Sequence, residues 1–160
     1  MISQLSMSDG MLCHQLDFSS AYLNADIEGE VYFKQPKSYE VMSQDNKKLV
    51  CRLNRSLYSL RQSGRMWNNL LSELLSNQGY HPSLADLWLY TKHIGKNKIL
   101  NFVWVDDLII AASNSKLFSD IKSSLSNASS VKDLGVLKYF LGINYQVNDN
   151  NIIMSQTKYV

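Results

Sequence analysis

The segment FVWVDDLII, Phe102–Ile110, places two adjacent carboxylates between two apolar, β-prone runs. Runs of this kind belong inside a β-sheet, where an unpaired carboxylate is expensive to bury. Neighbouring carboxylates also repel each other, so one would take up a proton unless a cation neutralised the pair. The segment alone leaves two interpretations open. Asp106 and Asp107 are turn residues of an exposed hairpin, or they bind a divalent metal ion.

A third carboxylate, Asp17, stands in a similar setting near the end of the apolar run Met11–Phe18. Carboxylates from the ends of different strands can converge on one point above a sheet. Mg²⁺ is usually held by one or two carboxylates together with substrate phosphates. Two such ions, about 3.5–4 Å apart, can activate an attacking oxygen and stabilise a leaving one. Asp17, Asp106 and Asp107 could supply the ligands for that arrangement.

The composition is that of a globular protein. The 160 residues correspond to one domain or a piece of a larger protein, and 45% apolar residues exclude disordered and low-complexity classes. No apolar run approaches the ~18–20 residues of a membrane helix, and the N-terminus lacks signal-peptide features. We therefore expect an intracellular protein with no membrane partner. Cys13 and Cys51 form neither a disulfide scaffold nor a zinc site, so we expect both to be small core residues.

Apolar periodicity predicts an α+β fold that alternates strands and helices. The predicted strands are Met11–Phe18, Val31–Phe33, Leu49–Leu53, Leu87–Thr91, Ile99–Val105 and Leu108–Ala112, with a closing hairpin of Leu141–Val147 and Asn151–Met154. An apolar stripe from Met66 to Leu75 predicts a helix that stops at Gly79. A second helical stripe follows Ser115 as its cap, and Ser19 or Ser20 would cap a short turn after the first strand.

Charge is segregated along the chain, although the net charge is only +2. Residues 1–45 carry seven acids and two bases, whereas residues 46–72 carry six bases and no acid. A protein that holds phosphates beside a carboxylate metal site would have this pattern, and a solvated helix face is the alternative. The chain has no G-x-S-x-G elbow, P-loop or G-x-G-x-x-G motif, so other catalytic schemes have less support.

Six segments, in order, resemble the reverse transcriptases of Ty1/copia-type retrotransposons. QLDFSSAYLN resembles the family's first catalytic motif, EVYFKQP the segment after it, and VCRLNRSLYSLRQSGRMW its L-Y-G-L-K-Q-S-P-R-x-W block. WVDD is similar to its Y-V-D-D box, DLGVLKYFLGI to its D-L-G-x-x-x-Y-F-L-G-I block, and SQTKYV to its S-Q-x-K-Y segment. These segments are Gln15–Asn24, Glu30–Pro36, Val50–Trp67, Trp104–Asp107, Asp133–Ile143 and Ser155–Val160.

The resemblance implies an RNA-directed DNA polymerase palm, an antiparallel sheet backed by helices, with part of the fingers. It implies two Mg²⁺ ions, with Mn²⁺ as a substitute, held by Asp17 and Asp106, and Asp107 as a third, supporting carboxylate. The implied partners are an RNA or DNA template with a primer, dNTP and the rest of a Pol polyprotein. The implied location is a cytoplasmic particle, followed by nuclear entry of the product.

The same resemblance implies roles for further residues. Tyr22 matches an aromatic steric gate that excludes the ribose 2′-hydroxyl, with a core aromatic as the alternative. The expected nucleotide contacts are Gln62, Ser63 and Arg65. Expected nucleic-acid contacts are Arg52, Arg55 and Arg61, suited to phosphate by their fork geometry, together with Trp104, Leu141 and Gly142 on the primer side.

Four positions depart from the family pattern. Trp104 replaces a usual Tyr, and Gly64 replaces a usual Pro. Ser59 and Ala25 stand where Gly is usual, and Ser at such a position is costly if the backbone needs a positive φ. Motif matches cover about residues 11–160. We therefore expect residues 1–160 to be a palm and partial-fingers fragment from the centre of a polyprotein, without upstream fingers, thumb, ribonuclease H or integrase.

Two other functions stay open on the sequence. A catalytically inactive remnant would act at most as a nucleic-acid-binding or structural domain. A different two-metal nuclease would also use strand-end carboxylates, but Tyr22 and the Arg61–Trp67 block would have no role there.

Overall fold

The structure is a computed structural model that describes residues 10–148 and 151–157. The chain divides into two compact units. The first contains residues 10–19 and those described from residue 72 onward, and the second contains residues 20–71.

The described part of the chain consists of runs of strands separated by one helix of 4 residues and two longer helices of 15 and 14 residues. The strands are β1 (Leu12–Phe18), β2 (Tyr32–Lys34), β3 (Val50–Arg52), β4 (His81–Pro82), β5 (Leu89–Ile94), β6 (Asn97–Trp104), β7 (Asp107–Ala112), β8 (Val131–Val136), β9 (Tyr139–Phe140), β10 (Ile143–Asn148) and β11 (Asn151–Ser155). The helices are α1 (Ala21–Asn24), α2 (Ser63–Asn77) and α3 (Ser115–Ala128). The predicted α+β class is confirmed.

The first unit is built on a six-stranded sheet in the order β4-β5-β6-β7-β1-β8, with antiparallel neighbours throughout. Alternation along the central strands gives the sheet two apolar faces. On one face, the His14 ring of β1 packs on Phe118 of α3 with centroids 4.2 Å apart. On the other face, Cys13 and Ile109 join a buried cluster that includes Phe140 of β9. Both faces of the central strands are therefore covered.

The second sheet of this unit has the order β11-β10-β9. Its β10–β11 pairing confirms the predicted closing hairpin, while the connecting residues 149–150 lie outside the described residues. Leu141 and Gly142 form the loop between β9 and β10 and both have positive φ, 47° and 81°. This geometry is that of a two-residue type I′ hairpin loop. The predicted strand from Leu141 was wrong by two residues, because these two residues form the turn.

The second unit contains α1, the two-stranded sheet of β2 and β3, and the N-terminal part of α2. Tyr32 pairs with Arg52, and Lys34 pairs with Val50. Trp67 and Leu71 on the apolar stripe of α2 are buried, as the helical periodicity predicted. Gly79 has φ 80° just after α2, which confirms it as the stop.

Several local predictions were wrong for geometric reasons. Asn114, not Ser115, caps α3, because its side chain accepts the Leu117 N–H at 3.0 Å. Ser20 precedes α1 in a left-handed conformation with φ 53° and makes no side-chain cap bond. Strand β5 begins at Leu89 because a turn with a hydrogen bond from Leu89 N–H to the Asp86 carbonyl precedes it.

The two cysteines differ in their environments. Cys13 is buried in the first unit, as predicted, but Cys51 is exposed on β3, where both strands of the small sheet are solvent-accessible. The core prediction for Cys51 was therefore wrong. No helix in the described part of the chain is long and apolar enough to cross a membrane.

Candidate functional site

Asp17 and Asp107 lie directly opposite each other where β1 pairs with β7. Residues paired in this way on antiparallel strands project their side chains to the same face. The Phe18 N–H donates a 2.8 Å hydrogen bond to the Asp106 carbonyl, which brings the loop residue to the same end of the sheet. The structure therefore brings together the three aspartates that the sequence singled out.

A two-residue loop, Val105 and Asp106, connects β6 to β7, and the Trp104–Asp107 pair closes it. Val105 has φ 53°, a region that β-branched residues avoid. The predicted strand ending at Val105 was wrong, because this residue belongs to the turn. Asp106 is a residue of the hairpin loop and Asp107 is the first residue of β7, but both aspartates are half-buried rather than exposed. Backbone strain of this kind concentrates at functional sites.

Burial and neighbouring negative charges disfavour the ionised form of the Asp107 carboxyl at this end of the sheet. Burial raises the pKa of the Asp107 carboxyl above its ordinary value, and the charges of Asp17 and Asp106 raise it further. A hydrogen bond from Gln15 Nε2 to Asp107 Oδ1, 3.2 Å long, acts in the opposite direction on that pKa. Asp17 and Asp106 are thus close enough to repel the Asp107 carboxylate, and a bound cation would relieve this repulsion.

The three aspartate carboxylates suit a divalent cation that also binds water or substrate oxygens. Within residues 10–148 and 151–157, no three His, Cys, Asp or Glu side chains are grouped closely enough to hold an ion by themselves. Mg²⁺ does not need such a cage, because it is usually bound by one or two carboxylates and completes its shell with water and substrate phosphates. Asp17, Asp106 and Asp107 offer oxygen ligands of that kind.

Gln15 is a residue of this site that the sequence analysis did not identify. It is buried, with 9% of its surface exposed, and its side chain reaches Asp107. The sequence could have identified Gln15 by its distance from Asp17, because residues two apart on a strand share a face. Gln15 and Asp17 have that spacing on β1.

The predicted nucleotide contacts lie in the second unit. The Tyr22 and Tyr58 rings are packed with centroids 4.5 Å apart, and a Cβ placed on Gly64 would lie 3.7 Å from the Tyr22 hydroxyl. Ser63 is fully buried, and its Oγ donates to the Leu57 carbonyl at 2.6 Å. The Gln62 carbonyl accepts the Met66 N–H in the first turn of α2. Ser63 thus holds the chain before α2, whereas Gly64 leaves space beside Tyr22.

Three of the arginines that were predicted to contact nucleotide or nucleic acid form ion pairs within the second unit. Arg65 Nη2 lies 2.6 Å from Glu28 Oε2, and Arg55 Nη1 lies 2.7 Å from Asp26 Oδ1. Arg52 lies 3.8 Å from Glu30. The charge segregation seen along the chain is therefore partly neutralised in space. These pairs are exposed, and exposed pairs contribute little stability.

Arg61 differs from these arginines. It is exposed and has no ion pair with any residue that the structure describes. Among the residues expected on the primer side, Trp104 is 46% exposed at the end of β6. Leu141 is also exposed, in the β9–β10 loop beside Gly142. These residues are accessible for contact with a large ligand.

The D-L-G segment, Asp133–Gly135, is held by a hydrogen bond and an ion pair of the Asp133 carboxylate. Asp133 Oδ1 accepts the Gly135 N–H at 2.8 Å, and Asp133 Oδ2 pairs with Lys122 Nζ at 2.6 Å. Gly135 has φ 79°, and β8 shifts its register against β1 at this point. The hydrogen bond from Lys122 is the main cause that lowers the pKa of the Asp133 carboxyl. This segment therefore forms a β-bulge.

Comparisons with known proteins agree with these features. The family model described as reverse transcriptase (RNA-dependent DNA polymerase) matches residues 1–160. The chain is 33% identical to the Pol polyprotein of transposon TNT 1-94 from Nicotiana tabacum, over 99% of this chain and 12% of the relative. It is 33% identical to the Pol polyprotein of transposon RE1 from Arabidopsis thaliana, over 91% of this chain and 10% of the relative.

A third relative is the Ty5-1 transposon protein of Saccharomyces cerevisiae, 30% identical over 91% of this chain and 47% of the relative. The chain thus spans about a tenth of the length of the two plant polyproteins. The family match covers the whole sequence and includes the segments that carry the aspartates. The chain belongs to the reverse transcriptase (RNA-dependent DNA polymerase) family, in the form found in Pol polyproteins of Ty1/copia-type transposons.

Proposed function

We propose that this chain is the palm of an RNA-directed DNA polymerase, which transfers a nucleotidyl group from dNTP to a primer 3′-hydroxyl. The observation that carries the proposal is the pairing of Asp17 with Asp107 across two strands, with Asp106 in the adjoining loop. A face-to-face pair of like charges is unfavourable in a sheet. A cation bound there would offset that cost.

The residues of the sheet end have distinct parts in this proposal. Asp17 and Asp106 would hold two Mg²⁺ ions, or Mn²⁺ in their place, and Asp107 would add a third negative charge beside them. Such ions, when bound, would supply positive charge to the triphosphate and would activate the primer hydroxyl as a nucleophile. The hydrogen bond from Phe18 to the Asp106 carbonyl fixes the loop, and the Gln15 amide supports Asp107.

The second unit would bind the nucleotide and the nucleic acid. Tyr22 would exclude ribonucleotides by contact with the 2′-hydroxyl, with Gln62 and Arg65 as further nucleotide contacts. Arg61 is the strongest candidate for a phosphate contact, because it is exposed and has no ion pair with described residues. The names of the relatives support a larger Pol polyprotein as the natural context.

A domain that binds nucleic acid without catalysis is a second candidate. It is favoured by Ser59, which has φ 75° at a position where the family usually has Gly. A residue with a side chain pays a conformational cost there that Gly does not.

Primer extension tests the proposal. The chain, alone and within a longer Pol segment, is incubated with an RNA template, a labelled DNA primer, dNTP and Mg²⁺ or Mn²⁺. We expect template-directed extension that Asp106→Asn abolishes. Binding of the primer–template without extension in either form would support the second candidate, and shortened strands would indicate a nuclease. Equal extension by Asp106→Asn would show that the metal assignment is wrong.

A further inference from the structure

The Gln15 side chain is a buried amide aimed at the acidic end of the sheet. Its Nε2 donates to Asp107 Oδ1 at 3.2 Å, and 9% of the residue is exposed. Gln15 lies two residues before Asp17 on β1, so both side chains project to the face that also carries Asp107. One amide is therefore placed beside two carboxylates that repel each other.

The backbone next to Gln15 is shaped by the D-L-G bulge. Gln15 pairs with Gly135, but the next residue, Leu16, pairs with Asp133, so the register of β8 shifts at this point. Gly135 has φ 79°, which a glycine adopts without strain. Bulges re-aim side chains and occur next to active sites more often than elsewhere. The bulge thus lies directly against the residue that contacts Asp107.

We propose that Gln15 is a positioning residue, which holds the Asp107 carboxylate in one orientation and thereby sets the affinity of this sheet end for divalent cations. This inference rests on the proposed function. The amide donor stabilises the carboxylate and fixes its direction, while Asp17 and Asp106 are left to bind the ions. Groups that orient metal-site carboxylates typically change metal affinity by about 10–100-fold when they are removed.

A double-mutant cycle on Mn²⁺ binding tests this role without measuring catalysis. Free Mn²⁺ is followed by electron paramagnetic resonance for the wild-type chain, Gln15→Met, Asp107→Ala and the double variant. Methionine matches the length of glutamine and fits a buried position, but it cannot donate the hydrogen bond. We expect Gln15→Met to weaken Mn²⁺ binding about tenfold. In the Asp107→Ala background, which lacks an acceptor for the Gln15 amide, Gln15→Met should change the affinity by less than about twofold, because its effect passes through Asp107.

Thermal unfolding of each variant shows that the fold is retained, and Gln15→Leu replaces Gln15→Met if the latter unfolds. An equal loss of affinity in both backgrounds would overturn the inference, because it would indicate a general structural effect. Unchanged affinity in folded Gln15→Met would overturn it as well.

Asp17→Asn distinguishes failure of this inference from failure of the proposed function. If Asp17→Asn weakens Mn²⁺ binding and Gln15→Met does not, only the role of Gln15 is wrong. If Asp17→Asn binds Mn²⁺ as the wild type does, or if the wild type does not bind it, the proposed metal site is wrong and the role of Gln15 falls with it.

Discussion

Asp17 and Asp107 face each other across the β1–β7 ladder, so two carboxylates share one face at the end of the main sheet. Like charges in directly opposite positions destabilise a sheet by up to ~1 kcal/mol. Asp107 is also half-buried, which adds to the cost of its charge. The fold therefore carries a local cost at this position, as functional sites often do.

Removing one of the two opposed charges should stabilise the metal-free protein. We expect Asp107→Asn to raise the free energy of unfolding by ~0.5 kcal/mol, because the amide keeps an acceptor for Gln15 and loses the repulsion. Urea denaturation in the presence of a chelator measures the change. Asp45→Asn, at an exposed loop position, is the matched control and should change stability little. A loss of stability in Asp107→Asn would contradict this account of the sheet end.

The arginines of the second unit should differ in their contributions to nucleic-acid binding. Arg61→Gln should reduce the slope of log affinity against log salt by about 1, since Arg61 has no ion pair with the described residues and is available to a phosphate. Arg55→Gln should have a smaller effect, because Asp26 already contacts Arg55 at 2.7 Å. Fluorescence anisotropy with a labelled RNA–DNA hybrid over a range of salt concentrations measures both slopes.

A substitution of the acid partner gives the converse result. Glu28→Gln releases Arg65 from its 2.6 Å ion pair, so it should tighten binding and steepen the salt dependence. An unchanged slope in Arg61→Gln would argue against a phosphate role for this residue, and weaker binding in Glu28→Gln would argue against competition between the carboxylate and phosphate.

Tyr22 should control the choice between dNTP and rNTP in any active form of the chain. Tyr22→Ala removes the ring that would meet the 2′-hydroxyl, so the ratio of ribonucleotide to deoxynucleotide incorporation should rise by at least about tenfold, a change of ~1.4 kcal/mol in discrimination. Tyr39→Ala, which removes a ring that is 78% exposed, is the control. If the ratio in Tyr22→Ala equals that of the wild type, Tyr22 is a packing residue against Tyr58.

Ser59 should be a site of removable backbone strain. Its φ of 75° is costly for a residue with a Cβ, and glycine adopts it freely. We expect Ser59→Gly to raise the free energy of unfolding by ~0.5–1 kcal/mol, because glycine adopts this φ without the steric cost of a Cβ. Ala25 has an ordinary extended backbone, φ −91°, and is buried, so Ala25→Gly should lower stability. Urea titrations that gave the same sign for both variants would contradict this explanation.

Much of the fold could be predicted because apolar periodicity reports burial. The stripe on α2 and the runs of β1, β6 and β7 appear in the structure within one to three residues. The turns were less predictable. Val105 takes φ 53° because the pairing of Trp104 with Asp107 leaves two residues to reverse the chain. Nothing in a valine side chain signals that conformation.

The three aspartates could be predicted because acids are rare within apolar runs, and the structure brings them to one end of the sheet. The ion pairs of the arginines could not, because Arg65 and Glu28 are 37 residues apart and meet only in the folded chain. The sequence predicted a conformational cost at Ser59 only if its φ is positive, and φ cannot be read from the sequence. The structure supplies that value.

Single-turnover incorporation of one dNTP, with RNA template, labelled primer and Mg²⁺, tests the central claim most directly. The chain and its longer Pol form are each compared with Asp17→Asn, Asp106→Asn and the control Asp45→Asn, at matched primer–template occupancy. The account predicts a rate loss of at least about 10³-fold, or ~4 kcal/mol, for Asp17→Asn and Asp106→Asn, and an unchanged rate for Asp45→Asn. Incorporation by Asp17→Asn or Asp106→Asn at the wild-type rate would contradict it.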